Sequence, residues 1–176
     1  WLSCPRDRGG GARVLGHVAA LGGDMTMLDR VLALNAAYAR ALDAGRLEAW
    51  PDFFADDCLY KITSAENVRR GLEAGIVYAD SKAMLRDRVT ALRTANIFER
   101  QSYRHIVGLP SIEPDGVSAE TPFLVARIVR GGETSLFATG VYRDRFAGGA
   151  DGRLLLAERI VVCDSGHFDT LVAIPL

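Results

Sequence analysis

Apolar residues recur at helical spacing between Thr26 and Ala44, where Val31, Leu34, Tyr38 and Leu42 form one stripe. Thr26 can cap this segment, Asp29 sits in the first turn where the helix dipole favours an anion, and Gly45 can take the left-handed stop. Ala33, Ala36, Ala37, Ala39 and Ala41 raise helix propensity and permit close packing. Arg46 to Phe54 reads as a short second helix, with Trp50, Phe53 and Phe54 as its buried face and Pro51 kinking or restarting it. Ser81 to Thr94 reads as a third, with Met84, Leu85, Val89 and Leu92 inward and Lys82, Arg86, Asp87 and Arg93 in water.

The remaining pattern is that of strands. Cys58 to Thr63 is rich in β-branched and aromatic residues, and Ser64 to Tyr78 reads as a loop carrying Gly71 and Gly75. One long strand is expected over Arg104 to Ile112, followed by a turn at Glu113-Pro114-Asp115-Gly116. Phe123 to Arg130 and Glu133 to Phe146 flank Gly131-Gly132, which predicts a hairpin on a two-residue turn. A glycine-rich turn over 148–152 leads into Leu154 to Asp164, and the apolar tail 171–176 is expected to dock. Helices followed by antiparallel strands give an α+β fold, with three N-terminal helices on one face of a strongly curved, mainly antiparallel sheet. Such a sheet makes a cone with an open mouth.

Residues 1–24 differ in texture from the rest. They carry Gly9-Gly10-Gly11, Gly22-Gly23 and scattered arginines, and their apolar patch Val14–Leu21 is broken by His17. No signal-peptide core is present. The segment reads as a non-native or disordered extension, with the natural start at Met25 or Met27 and one domain over 25–176; a mobile arm packing on a neighbour is the alternative.

Composition narrows the chemistry. A chain of 176 residues with 21 basic and 22 acidic side chains has no global field for nucleic acid or an anionic membrane surface. It holds no run of apolar residues long enough to span a bilayer. Cys4, Cys58 and Cys163 are odd in number and widely spaced, which suits a reduced, cytoplasmic setting and apolar thiols at positions 58 and 163. The three histidines, His17, His105 and His167, are not arranged for an iron–sulfur centre, a mononuclear iron or zinc. Gly-x-Gly-x-x-Gly after a strand, a phosphate loop and Gly-x-Ser-x-Gly are all missing. These readings leave no cofactor and no metal in this chain.

Two groups of residues remain as candidates. Tyr103, His105, Val107 and Leu109 alternate onto one face of their strand, as the wall of a partly polar pocket or of an interface would. Tyr60, Tyr103, His105 and Asp164 could converge in the cone, where an acid–base pair can move protons beside a carbonyl. No spacing ties a carboxylate to His105, so the plainer reading is a histidine satisfied by backbone or carboxylate, or one facing a partner. Arg127, Arg130, Arg143, Arg145 and Arg159 fall on predicted strands, either as a solvated sheet face or as a polar surface paired with another subunit. With Tyr103, Arg104 and His105, the arginines at 127, 143 and 159 are the candidate interface.

Several segments together resemble the small (beta) subunits of Rieske-type aromatic-ring-hydroxylating dioxygenases. They include Asn35–Ala39, Trp50–Tyr60, Gly71–Ser81, Glu99-Arg100, Tyr103–Ile112, Thr121-Pro122-Phe123, Gly132-Glu133-Thr134, Glu158-Arg159-Ile160, Val162–Ser165, Asp169-Thr170-Leu171 and Pro175-Leu176. The resemblance covers Leu28 to Leu176. It implies an NTF2-like, SnoaL-like cone and an α3β3 hexamer in which this chain is the structural subunit, without catalytic residues. It also implies that the large (alpha) subunit holds the Rieske [2Fe-2S] cluster and the mononuclear Fe(II), that a reductase delivers electrons, and that the assembly adds O2 to an aromatic acid. The alternative is a stand-alone isomerase, dehydratase or cyclase of the same fold, working through His105 with Asp164 or Tyr60.

Overall fold

The computed structural model describes residues 25–94, 101–169, 172 and 174–176. The expected extension over 1–24, with Cys4 and His17, lies outside the described residues, as do Glu99 and Arg100.

Helix α1 spans Met27–Asp43. It begins with a capping box, in which Asp29 N–H donates to Thr26 Oγ1 and Thr26 N–H donates to the Asp29 carboxylate. Gly45, with φ +68°, supplies the expected left-handed exit. The second helix is 3-10 over Leu47–Phe53 because Pro51 lies inside it, and the chain extends into β1 (Phe54–Ser64), four residues earlier than the sequence pattern suggests. The stretch expected to be a loop forms a short helix, α2 (Ala65–Arg69), and a strand, β2 (Val77–Ala79). Ser64 caps α2 by accepting from Asn67 N–H, a local signal that the glycines obscured. Helix α3 runs Lys82–Thr94, with Leu85 and Val89 buried; Met84, expected inside, is exposed.

The five strands that follow are β3 (Gln101–Val107), β4 (Ser111–Ile112), β5 (Ser118–Val129), β6 (Thr134–Gly148) and β7 (Leu154–Cys163). The single strand expected over Arg104 to Ile112 is therefore two. Gly108 lies against Pro122, where an added Cβ would meet Pro122 Cγ at 2.8 Å, and Pro110 has no N–H for the ladder. The β5–β6 connection has four residues, 130–133, rather than two, closed by Val129 N–H on Glu133 O and by Gly132 at φ +83°.

The sheet order is β2-β1-β7-β6-β5-β3, with β4 also on β5. All pairings are antiparallel except β1 with β7, so the sheet is mixed, and β1 and β2 precede α3 instead of following all the helices. Register shifts at Phe54/Leu59, Val125/Ala126 and Arg145/Phe146 bend the strands. Gly140 lets β6 lie close to β7, since a Cβ there would fall 2.1 Å from Val162 O. The core lies between the concave sheet face and α1, the 3-10 helix and α3.

Candidate functional site

The interior of the cone is filled by rings. Trp50, Phe54 and Tyr60 meet edge to face at centroid distances of 5.0 to 5.8 Å, and Tyr38 meets Phe54 and Tyr142 at 6.4 Å. Their polar tips converge on the end of the chain. Trp50 Nε1–H donates to Tyr38 Oη at 3.0 Å, and Tyr38 and Tyr60 hydroxyls donate to the main-chain oxygen of Leu176 at 2.9 and 3.2 Å. Leu176 N–H in turn donates to Tyr60 Oη at 3.1 Å. Burial pushes the Tyr60 phenol well above its ordinary range, so it stays protonated.

Beside the rings lies an enclosed ion pair. Arg159 is fully buried and donates to both Asp144 carboxylate oxygens at 2.8 and 2.7 Å and to Asn35 Oδ1 at 2.6 Å. Its guanidinium carbon stands 4.3 Å from the Tyr38 ring and 4.2 Å from the Tyr142 ring. Burial opposes the charge, but Asp144 outweighs it and holds the guanidinium above its ordinary pKa. Arg159 therefore leaves the candidate interface, because it faces the core rather than a sheet surface. Its period-2 partners on β6 carried the signal: Tyr142, Asp144 and Phe146 share the inner face, and a carboxylate among rings needs a cation. Asn35, set among Val31, Tyr38 and Leu42 on the inner stripe of α1, was the other legible clue.

Of the four residues considered for acid–base work, Tyr103 and His105 are neighbours, with ring centroids 6.2 Å apart, while His105, Tyr60 and Asp164 are each held by a different partner. Tyr60 belongs to the Leu176 network. Tyr103 packs on Phe137 at 5.0 Å and accepts from Gln101 Nε2. Asp164 is exposed and accepts from Thr139 Oγ1 at 2.6 Å. His105 pairs with Asp43, at the end of α1: its Nδ1 lies 2.7 Å from Asp43 Oδ1, and its main-chain N–H donates to the same carboxylate at 3.0 Å. The sequence hides this partner except as an oddity, an acid in the last turn of a helix where the dipole disfavours it.

Arg104 Nη1 approaches Asp43 Oδ2 at 3.5 Å and otherwise faces water. Two shallow grooves meet there, of about 450 and 660 Å³, and both are lined by Arg40, Asp43 and Arg104. Arg127 pairs with Asp169 at 2.7 Å over the Phe137 ring, and Arg143 pairs with Glu120 at 3.1 Å on the outer sheet face. Leu109, assigned to the same face as Tyr103 and His105, lies beyond the end of β3 and is 78% exposed.

Cys58 and Cys163 are buried free thiols. Among the described residues no cluster of three His, Cys, Asp or Glu side chains could hold a metal ion. A Rieske cluster or a mononuclear iron therefore does not fit the described residues. No helix among them is long and apolar enough to cross a membrane.

The family model for the SnoaL-like domain matches residues 25–160. The chain is 54% identical over 150 residues to the terephthalate 1,2-dioxygenase terminal oxygenase component subunit beta 1 of Comamonas sp., covering 84% of this chain and 97% of that one. It is 37% identical over 156 residues to the anthranilate 1,2-dioxygenase small subunit of Burkholderia cepacia, covering 87% and 96%. Among solved structures, the beta subunit assigned to an aromatic-ring-hydroxylating dioxygenase of Novosphingobium aromaticivorans superposes with a TM-score of 0.74 at 42% identity, covering 85% of this chain and 96% of that one.

Proposed function

The chain belongs to the SnoaL-like domain family and, within it, to the small (beta) subunits of aromatic-ring-hydroxylating dioxygenases, and on that premise we propose that it is the structural subunit of an oxygenase acting on an aromatic acid such as terephthalate. The observation that carries this reading is the 54% identity spread over 97% of a terephthalate dioxygenase beta subunit. The geometry supports a scaffold. The interior is occupied by Trp50, Phe54, Tyr60, Tyr38 and Tyr142, so the cone offers its outside rather than its inside.

In this reading the partner is a large (alpha) subunit, which holds the Rieske [2Fe-2S] cluster and the mononuclear Fe(II) and supplies the redox chemistry. Three copies of this chain self-associate within an α3β3 hexamer in the cytoplasm and fix the large subunits relative to one another. Rigid placement is the contribution of this chain, and the ring cage and the buried Arg159–Asp144 pair keep its outer faces in a fixed relation. The alternative, a stand-alone acid–base enzyme using His105 with Asp164 or Tyr60, has little support, because those groups stand on separate partners.

Co-expression with the large subunit and native mass spectrometry tests the proposal. Equal copies of both chains in one complex, with iron following the large subunit, are expected. Elution of this chain apart from the large subunit, or stoichiometric iron in this chain alone, would overturn it.

A further inference from the structure

After β7 the chain returns across β6 and β5 and enters the cone. Asp164 accepts from Thr139 Oγ1, Phe168 packs on Phe137 at a centroid distance of 5.6 Å, and Asp169 takes both ends of the Arg127 guanidinium at 2.8 and 2.7 Å. Further on, Val172 is buried and its main-chain oxygen accepts from Arg88 Nη2 on α3 at 2.8 Å. Pro175 and Leu176 are buried as well, and neither lies in a helix or strand. Side chains rather than a ladder hold Leu176: its oxygen sits on two phenols and its N–H on one of them.

The place Leu176 fills has the composition of a small-molecule site, with rings for walls and a few polar groups that fix orientation. Trp50, Phe54, Tyr38 and Tyr60 supply the rings. Tyr38 and Tyr60 each bring an O–H donor, and Tyr60 Oη is also an acceptor. Burial raises both phenols above their ordinary range, which keeps them protonated. Two more groups of the same cage are not met by the tail. Tyr142 Oη and Arg159 Nη1 are buried and have no hydrogen-bond partner among the described residues, although the Arg159 guanidinium lies over the Tyr38 and Tyr142 rings.

We infer that the cone contains a binding site for a small aromatic molecule with a carbonyl oxygen, and that Pro175 and Leu176 are its built-in occupant. Leu176 presents what such a molecule presents, an apolar body and an oxygen shared by two phenols. Ligand and tail compete for the same donors, so occupancy by one excludes the other. The inference goes beyond the scaffold role and does not depend on it.

The test compares the full chain with one ended after residue 171, which keeps the whole sheet and the Arg127–Asp169 pair. Benzamide and benzoate carry the same ring with a neutral and a charged carbonyl group, and titration calorimetry reads the affinity of each. At least one of them is expected to bind the shortened chain tenfold or more tightly than the full chain, and a synthetic peptide of residues 172–176 should compete with it. Tyr60→Phe in the shortened chain should weaken the bound probe about fivefold, as the loss of one hydrogen bond does. If circular dichroism shows the shortened chain unfolded, the peptide supplied in trans should refold it and the probe should then displace the peptide. Equal affinity of both probes for the two chains, a peptide that neither competes nor refolds, or an affinity indifferent to Tyr60→Phe would overturn the inference.

Discussion

Asp43 holds His105 twice, by the ring nitrogen Nδ1 at 2.7 Å and by the main-chain N–H at 3.0 Å. His105 lies in β3, an edge strand of the sheet, so this N–H points away from β5 and would have no ladder partner. One carboxylate at the end of α1 thus closes part of an open edge and joins helix to sheet. Asp43→Ala should destabilise the fold by about 2–3 kcal/mol, the cost of leaving buried donors unpaired. Asp43→Asn, which keeps one acceptor, should lose about half as much. Urea midpoints at a common slope measure both, and an unchanged midpoint for Asp43→Ala would contradict this role.

The pair Arg159–Asp144 has no access to water. Asp144→Ala should cost about 3–5 kcal/mol, because it strands a buried guanidinium. Arg159→Met combined with Asp144→Leu should recover most of that loss, to within about 2 kcal/mol of the parent. A double variant as unstable as Asp144→Ala would mean that Asn35 and the two tyrosine faces need the cation itself.

Gly140→Ala places a methyl against the β7 backbone at Val162 O, which no side-chain rotation can relieve. A loss of about 1–3 kcal/mol is expected from overpacking. Thermal unfolding reads it directly, and a Tm equal to the parent's would show that the strands separate freely at that point.

Burial pushes the Cys163 thiol up to about 12 and raises that of Cys58. Both should resist alkylation at pH 8 and react in urea, followed residue by residue with mass spectrometry. For Cys163 the folded pKa lies above the ordinary value of 9.0, so its contribution to stability is present below that value and falls as pH rises toward 12. Rapid labelling of Cys163 in the native protein would show that β7 opens locally.

The exposed Glu48 titrates on the acid side. Hydrogen bonds from Arg93 hold its carboxyl down at about 2, against an ordinary 4.5. Its contribution to stability is complete above the ordinary value and is lost as pH falls toward 2. The parent and Glu48→Gln should therefore differ near neutrality and converge at low pH. Curves that stay parallel throughout would remove Glu48 from the acid response.

The periodic parts of the molecule were legible in the sequence. The stripe of α1, its Thr26 cap and Gly45 exit, and the three strands after the Glu113–Gly116 turn follow from spacing and local chemistry. What escaped was set by contacts distant in sequence. The break after Val107 depends on Pro122 crowding Gly108, and β2 becomes a strand only because β1 pairs with it. Met84 has an apolar side chain at a position the tertiary packing leaves outside. At the candidate site, Asp43 and His105 are 62 residues apart, and nothing local joins them. The inward turn of Arg159 was written in the alternation Tyr142, Asp144, Phe146, which a count of strand arginines overlooks.

The parallel alignment of β1 with β7 has a consequence for how the molecule comes into being. β1 can gain its inner neighbour only when the last strand leaves the ribosome, since β2 alone flanks it before then. Until that moment Trp50, Phe54 and Tyr60 lack part of their roof, and the phenols lack Leu176. A chain cut short of β7 has no finished cone to offer.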